Sequence, residues 1–188
     1  MAYINVEEGI PGIRSLVLFR PATGKPLYEL AQVLLRGESP LNPADRELIA
    51  AYVSHRNKCI FCGSSHAAAA RCLYGTEKDL VDEVLHDLAS APVSEKLRCL
   101  LQIAGKVQVL GKEVKPEDIA AARNLGATDR EIHDTVLIAA TFCMFNRYVD
   151  GLASLTPTDP AVYAAMGERM KNGYHFPEHN KTHNNGID

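Results

Sequence analysis

Thr128 and Glu131 open the most apolar long stretch of the chain, "DREIHDTVLIAATFCMFNRYVDGLA". A threonine that accepts from the backbone, with a glutamate three residues on that reaches back, is a capping box and marks a helix start. A helix this long and apolar has to be packed among others. The rest of the sequence supplies candidates. Asn42 can cap a helix whose first turn holds Pro43, Asp45 and Glu47, a proline and acids where the positive helix end favours them. Ser94 can cap "EKLRCLLQIAGKVQVL", and Thr76 can cap "EKDLVDEVLHDLA". A shorter helix follows Pro116 and closes at Gly126. One runs from Cys59 to Leu73 and stops at Gly75, "LYELAQVLLRG" stops at Gly37, and "PAVYAAMGERMKNG" is the last.

No segment alternates as a strand should, so the expected fold is all-α, a single-domain bundle of roughly seven or eight helices. Pro11, Gly12, Pro21, Gly24 and Pro26 punctuate the start of the chain, which reads as an extended arm. The expected division is an arm over 1–25, a helical domain over 26–172 and a polar tail over 173–188.

Aligning "DREL" at Asp45 with "DREI" at Asp129 sets Glu47 over Glu131, Cys59 over Cys143, Cys62 over Asn146 and His66 over Asp150. Two readings fit: a duplicated helical hairpin, or two amphipathic helices with similar caps.

Charge narrows the function. The formal net charge is -3, and 20 basic and 23 acidic residues are scattered without a block of either sign. Nucleic acid is not an expected partner. The N-terminal "MAYINVEEGIPGIRSLVLF" lacks a basic region followed by an apolar one, and no apolar run nears the ~20 residues that span a bilayer. The expectation is a soluble cytoplasmic protein with no membrane partner.

Five cysteines, Cys59, Cys62, Cys72, Cys99 and Cys143, are an odd set for a disulfide framework. In "NKCIFCGSSHAAAA", Cys59, Cys62 and His66 fall within an arc of about 60° on a helix. Cys62 and His66 are one turn apart, close enough for a histidine to take a thiol proton. A second cysteine three residues away can attack an oxidised sulfur. Glu47, on the preceding helix, can fold back beside His66 to orient it; His55 is a second candidate, nearer the turn. Three readings compete: a redox pair, a zinc site completed by Glu47, and a redox-inert helix interior. Zinc prefers four ligands in separated pairs, and no second Cys-x-x-Cys or His pair exists. Cys72, Cys99 and Cys143 read as small core residues. Asn146, Arg147 and Asp150 either make buried polar contacts or line the site or a subunit interface. His86, His133, His175, His179 and His183 read as surface or tail residues. The run Ala67 to Ala70 allows the Glu47 helix to come close.

Glu47, Cys59, Cys62 and His66 give E-x11-C-x2-C-x3-H. This pattern resembles the signature of the alkyl hydroperoxidase D-like proteins of the carboxymuconolactone decarboxylase superfamily. The resemblance runs through "SPLNPADRELIAAYVSHRNKCIFCGSSHAAA" and resumes in "FNRYVDGLA", similar to a later helix of the peroxidase-related branch. It implies an all-helical fold assembled as trimers or hexamers, and an oxidoreductase cycle of thiol peroxidase type. By position, Cys62 would react with peroxide and Cys59 would close the disulfide and meet an external dithiol, such as a lipoyl domain or a thioredoxin-like protein. His66 and Glu47 would relay the proton. No bound cofactor or metal is implied. The decarboxylase branch lacks the cysteine pair, so decarboxylation is not expected. One position departs: the best-known members carry a histidine just before the second cysteine, where this chain has Phe61, which implies a shorter relay, a more apolar pocket or a lower rate. The alternative is a redox-responsive, non-enzymatic oligomeric protein.

Overall fold

The structure is a computed structural model and describes residues 2–177. Nine α-helices make up the described fold: α1 (Ile13–Phe19), α2 (Pro21–Arg36), α3 (Pro43–Arg56), α4 (Ile60–Tyr74), α5 (Asp79–His86), α6 (Glu95–Val109), α7 (Pro116–Asn124), α8 (Asp129–Gly151) and α9 (Pro160–Met170). The fold is all-α, as expected.

Most helix starts follow the local chemistry. Asn42 accepts from the Asp45 N–H at the head of α3, and Ser94 from the Leu97 N–H at the head of α6. Thr128 and Glu131 close their reciprocal box at the head of α8. Each replaced cap would cost about 1 kcal/mol. Thr76 is an exception. It lies inside a short 3-10 turn, Gly75–Glu77, and α5 begins after it without a side-chain cap.

The N-terminal region differs from the expected arm. Residues 13–36 form α1 and α2, joined only through Arg20. Pro21 is the first residue of α2, where its missing N–H is no loss. Gly24 is pressed onto Val17, so that a Cβ there would lie 2.5 Å from the Val17 carbonyl oxygen. The residues that look like helix breakers therefore build a tight α1–α2 corner.

At the centre, α3 and α4 form an antiparallel hairpin. α6 and α8 pack on α3, and α9 lies along α4. Leu48, Ile49, Leu100, Leu101, Ile138 and Phe142 are at most 1% exposed, and each stabilises by about 1.5–3 kcal/mol through burial. The alanine run of α4 does let α3 approach, but Ala68 serves α9 instead: a Cβ at Gly167 would meet the Ala68 carbonyl oxygen at 2.8 Å.

The proposed duplication is not a repeat of hairpins. Residues 43–74 turn between two helices, whereas 129–151 form one unbroken helix. Glu131 is spent on the α8 cap and on Lys96, a different role from that of Glu47.

Candidate active site

The connection from α3 to α4 is short and strongly tied. Lys58 adopts φ 60, a left-handed conformation that costs a non-glycine residue about 1–2 kcal/mol. Neighbouring bonds hold it there. The Cys59 N–H donates to the Ser54 carbonyl at 3.0 Å and the Lys58 N–H to the His55 carbonyl at 2.9 Å. The Asn57 amide donates to Asn146 at 2.8 Å, Asn146 donates to Ser54 at 3.0 Å, and Gln108 donates to Asn57 at 2.9 Å. Asn146 thus makes buried hydrogen bonds that fix the turn in front of the cysteines. Arg147 is exposed and donates back to the Cys143 carbonyl.

Cys59 is the N-cap of α4, and Cys62 and His66 follow on its first two turns. Both thiols are free and buried. Their contact pushes the Cys59 thiol well up from its ordinary value; the hydrogen bond with Cys62 is the largest cause, burial the next, and the Asp150 carboxylate adds to it. Cys59 therefore holds its proton beside Cys62. Cys62 sits in the first turn of α4.

Glu47, from the middle of α3, is fully buried. Its Oε2 accepts from His66 Nδ1 at 2.6 Å, and its Oε1 accepts from Arg36 Nη2 at 2.6 Å and from the Tyr174 hydroxyl at 2.5 Å. Burial alone would raise the Glu47 carboxyl, but the charge and hydrogen bond of His66, with Arg36 and Tyr174, hold it below its ordinary value. When His66 is neutral, an ionised Glu47 that accepts from Nδ1 fixes its tautomer and leaves Nε2 as the acceptor; when it is charged, the same carboxylate is its counter-ion. No direct bond joins His66 to Cys62. Both side chains line one cavity of about 220 Å³, so Nε2 serves whatever occupies it. His66 also stacks on the Tyr174 ring, centroids 6.0 Å apart, and meets the Phe142 edge at 4.5 Å.

All four predicted site residues are thus gathered. Arg36 and Tyr174 are the ones the sequence did not reveal. Arg36 also donates to the Met170 and Lys171 carbonyls, clasping the end of α9. Tyr174 lies in the region read as a loose polar tail, of which residues 178–188, with His179 and His183, lie outside the described residues. Burial and the Glu47 charge push the Tyr174 hydroxyl well above the usual phenol range, so it stays a donor. His175, read as a tail residue, lines the cavity too. His55 is exposed and does not line the cavity that holds His66.

The two cysteines face different spaces. Cys62 lines the small cavity, while Cys59 forms part of the floor of a broad open groove of about 1470 Å³. The groove is bordered by His55, Arg56, Lys58, Arg71 and Glu168, and by Cys72, whose thiol contacts Glu168 at 3.2 Å. Cys72 is therefore a groove residue, unlike Cys99, which is in the core. Phe61 fills the position before Cys62. It is 5% exposed and packs on Tyr163 with centroids 6.3 Å apart. Its ring lies where a Cβ on Gly12 would be, 2.0 Å away, and Gly12 itself has φ 59. The Glu47–His66 pair thus has an apolar neighbour at this position. Among the described residues, no group of three or more His, Cys, Asp or Glu is placed to hold a metal, and no helix is long and apolar enough to cross a membrane.

Residues 21–106 match the model of the carboxymuconolactone decarboxylase family. Among solved structures, the chain is similar to an uncharacterized peroxidase-related protein from Silicibacter sp. TM1040, with 28% identity, 84% of this chain and 81% of that one covered, and a TM-score of 0.75. It is similar to the same degree of overlap, 84% and 81%, to an alkylhydroperoxidase AhpD core, an uncharacterized peroxidase-related protein from Ralstonia eutropha JMP134, with 25% identity and a TM-score of 0.75. A protein of unknown function from Agrobacterium tumefaciens shares the fold at 19% identity and a TM-score of 0.68, with 85% of this chain and 100% of that one covered. No curated protein matches the chain.

Proposed function

The chain belongs to the alkylhydroperoxidase D-like proteins of the carboxymuconolactone decarboxylase superfamily, and from that premise we propose that it is a thiol peroxidase that reduces hydroperoxides through Cys62 and Cys59. The supporting observation is the placement of His66, oriented by a buried Glu47, in the same cavity as Cys62.

His66 Nε2 takes the Cys62 proton by way of a water or the peroxide hydroxyl in the cavity they share, and the resulting imidazolium lies against ionised Glu47, whose other oxygen is paired with Arg36. The cluster can therefore hold the new charge without leaving one unpaired. The thiolate attacks the distal peroxide oxygen. An S–O bond forms, the O–O bond breaks, and the leaving alkoxide takes the proton back from His66. Cys62 is now a sulfenic acid. The Cys59 thiol, already in contact with it, attacks the sulfur, and water leaves as the disulfide forms. An external dithiol, on a lipoyl domain or a thioredoxin-like protein, attacks from the groove that Cys59 floors. It becomes the disulfide and returns both thiols. A trimer or hexamer is part of the same proposal; exposed Leu137 and Met144 on α8 offer apolar surface for it.

The test is anaerobic titration with one hydroperoxide, followed by thiol counting and mass spectrometry. Wild type should lose two thiols per equivalent, and Cys59→Ser should stop at a sulfenic acid. Peroxide consumption by Cys62→Ser at the wild-type rate would sink the proposal. Steady turnover with dihydrolipoamide separates an enzyme from a protein that is merely oxidised once.

A further inference from the structure

The walls of the Cys62 cavity are unevenly charged. Arg14 and Arg169 line it, together with His66 and His175, and no carboxylate does so among the described residues. The nearest acid, Glu47, already takes three donors. Arg36, Arg46, Arg98, Arg123 and Arg130 all donate to carboxylates or carbonyls, and exposed Arg20 lies outside this cavity. Arg14 and Arg169 donate to no such group in the described structure, although they come from different helices, α1 and α9. Arg14 is half-buried and Arg169 exposed at the cavity rim, and they lie near enough to repel one another: partial burial of its guanidinium, then the Arg14 charge, lowers Arg169. The Tyr28 hydroxyl feels both charges and also faces the cavity. Two guanidiniums on one wall, with no carboxylate facing them among the described residues, suit one negative charge with two acceptor oxygens. The remaining wall is apolar, with Ile13, Leu27, Phe61, Phe142, Phe145 and Met166.

We propose that this cavity selects organic hydroperoxides that carry a carboxylate on a compact apolar body, with Arg14 and Arg169 binding the carboxylate while the peroxide group lies at Cys62 and His66. A volume of about 220 Å³ is below the ~300–1,000 Å³ of common small-molecule sites, which favours an aryl or short alkyl body over a long chain. Phe61 contributes an apolar face where a histidine would compete for the anion. The inference rests on the thiol peroxidase reading for its chemistry, and on the arginine pair for its selectivity.

The experiment compares 4-(2-hydroperoxypropan-2-yl)benzoate with its methyl ester. The rate of Cys62 oxidation by each is measured in single turnover, with wild type, Arg14→Gln/Arg169→Gln and Arg14→Lys/Arg169→Lys. Equilibrium binding of the product alcohol, 4-(2-hydroxypropan-2-yl)benzoate, to the reduced proteins is measured alongside. Wild type should oxidise with the acid about tenfold or more faster than with the ester. The ratio should fall towards one in the double glutamine variant, recover in part with lysine, and shrink with added salt. Equal rates for acid and ester in wild type overturn the inference, whatever the variants do, and leave the peroxidase reading standing. If neither hydroperoxide oxidises Cys62 but the alcohol binds in an arginine-dependent way, the peroxidase reading falls and the carboxylate site stands.

Discussion

The Tyr174 hydroxyl donates to the Glu47 carboxylate at 2.5 Å, across 127 residues of chain. The carboxylate that orients the candidate base is therefore set partly by a residue beyond the last described helix.

Tyr174→Phe removes one donor to the charged form of Glu47 and keeps the ring on His66. A hydrogen bond to a charged group contributes about 1.5–3 kcal/mol, and a loss of stability in that range is expected by denaturant melts. Losing a donor weakens the ionised form, so Glu47 titrates higher. The acid limb of the peroxide-oxidation rate should move to higher pH, while the rate at neutral pH falls by less than the ~100-fold that accompanies loss of a general base. An unmoved acid limb would remove Tyr174 from the site's electrostatics.

Glu47→Gln leaves the Arg36 guanidinium, with a side chain 9% exposed, without its counter-charge. Breaking a buried pair from one side costs about 3–5 kcal/mol. Arg36→Met alone should cost a similar amount. The double variant, with both charges gone, should be more stable than the sum of the two losses implies, measured as a double-mutant cycle in guanidinium. Additive losses would mean that the two charges do not support one another.

Gly12→Ala has two costs. The backbone must hold φ 59 with a Cβ, and that Cβ would meet the Phe61 ring at 2.0 Å. A loss of about 1–3 kcal/mol from conformation alone is expected, with more from the clash. Adding Phe61→Leu should restore the second part and leave the first, read from thermal melts of the single and double variants.

Acid should unfold the protein for reasons of linkage. Glu47, Glu131 and Asp134 are all held below their ordinary values, each by partners that outweigh burial. A depressed carboxyl contributes stability that is present above its unfolded pKa and lost as pH falls through its folded one. Melting temperatures should therefore hold from neutrality down to about pH 4.5, the ordinary glutamate value, and drop below it. A flat profile to pH 3 would contradict these three assignments.

The helices were largely legible because their starts are local events. Asn42, Ser94 and Thr128 each meet a backbone N–H within three residues. Glu47, Cys59, Cys62 and His66 were legible because helix geometry brings two consecutive elements face to face. Arg36 and Tyr174 were not, since nothing near either one indicates that it will bond to Glu47; their meeting depends on where α2 and α9 pack. Pro21 and Gly24 read as breakers, yet a residue that breaks an isolated helix can also allow two helices to share a corner.

The Glu47–His66 contact spans 19 residues within one hairpin, but Arg36 reaches Met170 across 134. Loop closure grows costlier with separation, and distant contacts are slow to form. The two halves of the cluster therefore differ in when they can assemble. Arg36, only 11 residues before Glu47, can join the hairpin's thiols, imidazole and carboxylate early, while the Tyr174 hydroxyl arrives only once the chain beyond α9 has docked. Until then Glu47 lacks one of its three donors. The final setting of the carboxylate behind His66 is thus a late property of folding, acquired after the cysteines are in place rather than with them.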